Sequence, residues 1–168
     1  VGCEESQAVT IELRKLGYEA FSCDLIECSG GHPEWHIQGD VLEQLGKRWD
    51  MMIAHPECTY LCSSGLHWNQ RIVGRAEKTE EALKFITALW KAKIPKICIE
   101  NPVGCINTRL NFMPKPQYIQ PYQFGEDASK KTGLWLKGLR PLKPTKLIEG
   151  RKIKKNGKIY QRWSNQTD

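Results

Sequence analysis

The chain has 168 residues, 40% of them hydrophobic, and a net charge of +6, which suits one domain with a continuous core and is too short for two. No apolar run approaches the roughly 20 residues of a membrane span, no charged-then-apolar leader opens the sequence, and seven cysteines form an odd set that reads as reduced thiols. The expected protein is therefore cytoplasmic, with no membrane partner. The charge is uneven: twelve Lys and Arg lie from Lys130 onward against two acids, so that part carries +10 and residues 1–129 carry −4. A basic segment of this kind fits phosphate contacts as well as a solvated lysine-rich surface.

The chain opens on Val1-Gly2-Cys3 without an initiator methionine, at what reads as the end of a first strand, so it reads as a piece of a longer protein. After a polar turn ending at Ser6 or Gln7, apolar Val9, Leu13 and Leu16 share one face and Gly17 acts as a stop, predicting a helix over 8–16. Residues 18–23 alternate as a strand that ends at Asp24, about twenty residues beyond the first turn. In a nucleotide-binding fold an acid there accepts hydrogen bonds from both ribose hydroxyls. Residues 26–36 read as loop, and Asp40 stands just ahead of a helical turn over 42–45. A strand over 49–54 then runs into His55-Pro56-Glu57-Cys58, followed by a loop with Ser63-Ser64-Gly65. Apolar residues at 82, 83, 86, 89 and 90 predict a long helix over 76–92 packed on a sheet. The strand over 96–99 ends in Glu100-Asn101-Pro102.

Four prolines over 101–125 argue against regular helix there, and Leu134-Trp135-Leu136 reads as a strand. Asn156-Gly157, between basic alternating runs, predicts a hairpin over 151–163, because Asn-Gly supplies the two positive φ angles of a type I′ turn. The order of elements predicts an α/β fold, a doubly wound, mostly parallel sheet with right-handed crossovers and a basic C-terminal β-hairpin. One domain is expected, with residues 1–125 as the core and 126–168 as a basic extension.

Strand ends of open α/β sheets carry chemistry, and two such ends bear reactive side chains. Cys58 is a nucleophile candidate, and Glu100, on a neighbouring parallel strand, is expected at the same edge. A thiolate that adds to ring carbon 6 of a pyrimidine, with a carboxyl group on ring nitrogen 3, makes carbon 5 electron-rich enough to take a methyl group. Glu57 places a negative charge beside Cys58, which is expected to raise the thiol pKa. Cys23, Cys28, His32 and His36 have spacings compatible with zinc, but Cys23 is expected inside a strand, and no metal site is assigned. His55 and His67 have no partner pattern, and Trp68 in the loop after Cys58 is placed to stack on a base.

Gly2-Cys3-Glu4-Glu5-Ser6-Gln7, Ser22-Cys23-Asp24-Leu25, Gln38-Gly39-Asp40-Val41, His55-Pro56-Glu57-Cys58-Thr59-Tyr60-Leu61, Ile99-Glu100-Asn101-Pro102-Val103-Gly104 and Gln120-Pro121-Tyr122-Gln123-Phe124-Gly125 together resemble the short DNA cytosine-5 methyltransferase-like proteins of bacteriophages and prophages. The resemblance runs along nearly the whole chain. It implies the Rossmann-like methyltransferase version of the doubly wound sheet, S-adenosylmethionine as cofactor, DNA as partner, and the cytoplasm of a bacterial or phage-infected cell. It implies Cys58 as nucleophile, Glu100 as the acid on the cytosine ring, Asp24 on the ribose and Asp40 on the adenine amino group. Cys3, Glu4, Ser6, Gln7, Leu25, Val41, His55 and Pro56 complete the implied cofactor set. Lys130 and Lys131, with Thr132, match a basic motif near the target base, and Lys152, Lys154, Lys155, Lys158 and Arg162 of the hairpin are expected on phosphates. Two alternatives stand beside this: an enzyme of the same fold that modifies a pyrimidine at the nucleotide level, and a catalytically inactive DNA-binding module. The target sequence and the oligomeric state stay open.

Overall fold

A computed structural model describes residues 1–167. Helix α1 (Ala8–Lys15) follows a first turn whose Cys3 and Gln7 both take positive φ. Strand β1 (Ser22–Asp24) pairs in parallel with β2 (His36–Gln38), and a one-turn helix α2 (Val41–Gln44) leads to β3 (Met51–Ala54). A one-turn α3 (Ser63–Leu66) and the long α4 (Arg75–Lys91) then cross over to β4 (Lys96–Pro102), parallel to β3 with Ala54 opposite Ile99. After a one-turn α5 (Ile106–Arg109) come β5 (Gln117–Ile119) and β6 (Thr132–Lys137). The chain closes on the hairpin β7 (Arg151–Lys155) and β8 (Lys158–Arg162), whose turn residues Asn156 and Gly157 have φ of 51° and 75°.

This corrects the expected doubly wound, mostly parallel Rossmann-like sheet. The strands form a parallel pair β1-β2, a mixed four-stranded sheet in the order β3-β4-β6-β5, and the separate β7-β8 hairpin. Within the four-stranded sheet β6 runs antiparallel to both β4 and β5. The cause lies in the connections: a further parallel strand needs a crossover of a dozen or more residues, usually helical. Among the described residues α4, with 17 residues, is the longest such crossover helix; the proline-bearing stretch after β4 yields the single turn α5, and the chain returns antiparallel. Isolated bridges from Gly2 to Cys23 and to Ala54 join the β1-β2 pair to the edge of β3.

The core lies between α4 and the sheet. Thr79, Leu83, Ile86 and Leu89, one face of α4, are buried against Ala54, Ile97, Ile99 and Trp135. Trp135 meets its polar requirement by donating from Nε1 to Asn107 Oδ1 at 3.1 Å. Among the described residues, no helix is long and apolar enough to cross a membrane.

Candidate functional site

The β3-β4 register decides where the chemistry lies. With Ala54 opposite Ile99, the next residues, His55 and Glu100, are neighbours, and His55 Nδ1 lies 3.2 Å from Glu100 Oε2. The chain then turns through Pro56 to Cys58, whose carbonyl accepts from the N–H groups of Leu61 and Cys62, both at 2.9 Å. That turn is fastened to the end of β4 at four points. Asn101 Nδ2 donates to Pro56 O at 2.8 Å, Ser63 N to Val103 O at 2.9 Å, and Cys105 N to Leu61 O at 2.9 Å; Ser63 Oγ adds a bond to Val103 O at 3.0 Å. Gly104 makes this approach possible, since a Cβ there collides with the Leu61 carbonyl.

Cys58 is half-buried, and its thiol is held above the ordinary range, chiefly by burial and then by the neighbouring Cys62 thiol. Lys130 pulls the other way, and Glu100 adds to the rise. Glu57, expected to raise the thiol, is not among these causes: its carboxylate accepts from Thr59 Oγ1 at 2.6 Å. Lys130 and Glu100 thus both act on Cys58, while Lys131 places its ammonium 4.4 Å over the Tyr118 ring.

Beside this cluster is a cleft of about 540 Å³. Of the residues expected at a cofactor, Cys3, Asp24, Leu25, Asp40, Val41, His55 and Pro56 line it. Asp24 accepts from Ile26 N at 3.3 Å and Asp40 from Leu42 N at 2.9 Å, each through Oδ1 only. Asp40 is thereby the N-cap of α2 as well as part of the wall. Cys3 stays a thiol, with its pKa pushed up to about 12 by burial and then by Asp24.

Glu4, Ser6 and Gln7 are placed elsewhere. The Glu4 carboxylate is buried at the start of α1, where it accepts from Val9 N at 2.5 Å, Thr10 N at 3.3 Å and Thr10 Oγ1 at 2.6 Å. Gln7, fully buried, donates from Nε2 to Ser22 Oγ and His32 O and accepts from His32 N through Oε1. Both act as internal braces, and Ser6 is exposed outside the cleft lining. Lys78, Glu81 and Phe85, one stripe of α4, were not singled out by sequence reasoning, yet they line the cleft; their i, i+3, i+7 spacing beside the buried stripe was the available signal.

The cleft chemistry fits S-adenosylmethionine. Asp24, Asp40, Glu57 and Glu81 face it against the single ammonium of Lys78, which suits a ligand with a positively charged sulfonium and ribose hydroxyls. His55 Nε2, on the wall, is buried with no hydrogen-bond partner, as is Asn101 Oδ1.

Three of the four residues with zinc-compatible spacing make other bonds: His36 Nδ1 meets Ser22 Oγ at 2.8 Å, His32 Nδ1 meets Glu34 at 3.1 Å, and Cys23 Sγ donates to Gly39 O at 3.5 Å. Among the described residues no group of three or more His, Cys, Asp or Glu is arranged to hold a metal ion. A second cavity, about 430 Å³, lies at the starting ends of β1 and β3 between Phe21 and Met51; Cys58, Glu100 and Lys130 line neither this cavity nor the cleft, which reaches the Cys58 turn through His55, Pro56 and Glu57. Lys152, Lys154, Lys155 and Lys158 are exposed on the hairpin, whereas Arg162 is half-buried. No protein-family model matches the chain, and no curated protein matches it.

Proposed function

We propose that this chain is a DNA cytosine-5 methyltransferase that uses S-adenosylmethionine and acts on a base turned out of the duplex. The observation that carries the reading is the β3-β4 edge, where His55 and Glu100 lie 3.2 Å apart and Asn101 holds the turn that leads to Cys58, next to an acid-lined cleft. Asp24 and Asp40 would hold the ribose and adenine of the cofactor, with Val41 and Pro56 as apolar walls. When bound, the cofactor supplies an electrophilic methyl group.

The protein's own part begins with loss of the Cys58 proton, which Lys130 favours and burial opposes. The thiolate forms a bond to carbon 6, and the ring electrons move toward nitrogen 3, where the Glu100 carboxyl group donates a hydrogen bond. Carbon 5 becomes nucleophilic. Once carbon 5 carries the methyl group it gives its proton to water, the electrons of that C–H bond re-form the 5,6 double bond, and the carbon–sulfur bond breaks with its pair on sulfur, restoring the Cys58 thiolate. His55, hydrogen-bonded to Glu100, holds that carboxyl group in place.

The test uses the full chain, duplex DNA and methyl-labelled S-adenosylmethionine, with the nucleosides separated after digestion. Label in 5-methylcytosine that disappears in Cys58→Ala and falls at least tenfold in Glu100→Gln supports the reading. Label in no base, or label that survives Cys58→Ala, contradicts it. A second reading, a DNA-binding module without chemistry, is favoured by the raised Cys58 pKa. It predicts duplex binding that Cys58→Ala leaves unchanged and no methyl transfer.

A further inference from the structure

The β7-β8 hairpin is a ribbon of one charge sign. From Arg151 to Arg162 it carries six Lys and Arg and no acid. The register sets Lys155 opposite Lys158, and like charges directly opposite each other destabilise a strand pair. A polyanion removes that cost.

The two faces of the ribbon differ. Lys152 pairs with Gln161 and Lys154 with Ile159, so these four share one face, and all four are exposed, Ile159 by 71%. The other face carries Ile153 and Arg162, both half-buried, beside the exposed Arg151, Lys155, Lys158 and Tyr160, so only the first face is exposed throughout. The exposed face therefore combines two lysines with a glutamine amide and a branched apolar side chain. A glutamine pairs bidentately with adenine N6 and N7, and an apolar side chain packs on the thymine methyl group.

The base of the ribbon is fixed to the segment that leads into β6 and carries Lys130. Trp163, directly after β8, stacks on Tyr122 with ring centroids 4.2 Å apart and donates from Nε1 to Ile148 O at 3.2 Å. Asn165 grips Ser129 twice, accepting from its N–H and donating to its carbonyl, both at 2.9 Å. Ser129 adjoins Lys130, whose charge acts on Cys58.

We infer that the exposed face of β7-β8 enters the major groove of duplex DNA, where Gln161 and Ile159 read base edges while Lys152 and Lys154 contact phosphates. This rests on the DNA reading proposed above. A two-stranded ribbon fits the major groove, about 12 Å wide. Strands of five residues run about 17 Å, the length of about five base pairs.

The experiment exposes the full chain to a pool of duplexes with a randomised core of about ten base pairs, one helical turn, and sequences the bound fraction for wild type and variants. The wild type is expected to enrich a short motif. Gln161→Ala and Ile159→Ala should flatten the preference at one or two positions, losing roughly tenfold or more of discrimination there. Lys152→Ala and Lys154→Ala should weaken binding to every duplex alike, each lowering the slope of log affinity against log salt by about 0.9. Salt-dependent binding with no motif, or a motif that Gln161→Ala and Ile159→Ala leave intact, overturns the base-reading role while DNA binding stands. Absence of salt-dependent binding to any duplex overturns the DNA reading itself, and the ribbon's role with it.

Discussion

At the scale of single residues, the site turns on how a half-buried thiol is balanced. Burial and Cys62 hold Cys58 above the ordinary thiol value of 9.0, and Lys130 opposes them. Iodoacetamide labelling of Cys58 followed against pH should therefore reach its midpoint above 9.0. Lys130→Gln should move the midpoint higher and Cys62→Ser lower; a midpoint below 9.0, or one indifferent to Lys130, would refute this balance. The first turn shows the limit of reading residue type alone. Glu4 and Gln7 are polar at a place where a cofactor was expected, yet both are turned inward, one to satisfy the N–H groups that begin α1, the other to tie His32 and Ser22 together. Nothing in their identity announces this, because Cys3 and Gln7 adopt positive φ, and that backbone choice sets the direction in which the side chains leave. Asp24 and Asp40 were legible because a strand end and a helix cap each dictate an acid's position locally.

At the scale of elements, the apolar period of α4 and the apolar runs of β3 and β4 were plain in the sequence, and their parallel pairing brings His55, Cys58 and Glu100 to one edge. The direction of β6 was not. Leu134-Trp135-Leu136 marks a strand but carries no sign of which way it runs; that follows from the connection, and the prolines after β4 leave no long crossover helix. The Cys58 turn depends on a contact between elements far apart in sequence. Gly104 lies against the Leu61 carbonyl, and Cys62 forms a bridge with Gly104. Gly104→Ala should destabilise the protein by about 1–3 kcal/mol in urea unfolding, the range for overpacking, and should lower Cys58-dependent methyl transfer further than the loss of stability explains. Unchanged stability and activity would mean that the turn and β4 are not pressed together as described.

At the scale of the whole molecule, burial of thiols links stability to pH. Cys3 is pushed up to about 12 and Cys98 to about 11, both first by burial. The folded chain keeps these protons while the unfolded chain releases them above 9.0. The stabilisation is therefore fully present below 9.0 and is lost as pH climbs from 9.0 toward 11 and 12. The urea midpoint should fall across that window, and less steeply in Cys98→Ala; equal slopes for the two proteins would remove Cys98 as a contributor. The charge of the chain is also divided in space: acids line the cleft, and cations run from Lys130 to the hairpin.

The most direct test of the central claim is covalent capture. The full chain is incubated with S-adenosylmethionine and duplex DNA containing 5-fluorocytosine, then denatured and resolved by mass. The fluorine blocks release only after the methyl group has been transferred, so the account predicts a denaturation-resistant protein–DNA complex that requires the cofactor and is absent in Cys58→Ala. No such complex from a chain that binds both cofactor and DNA, or a complex that persists in Cys58→Ala, would contradict it.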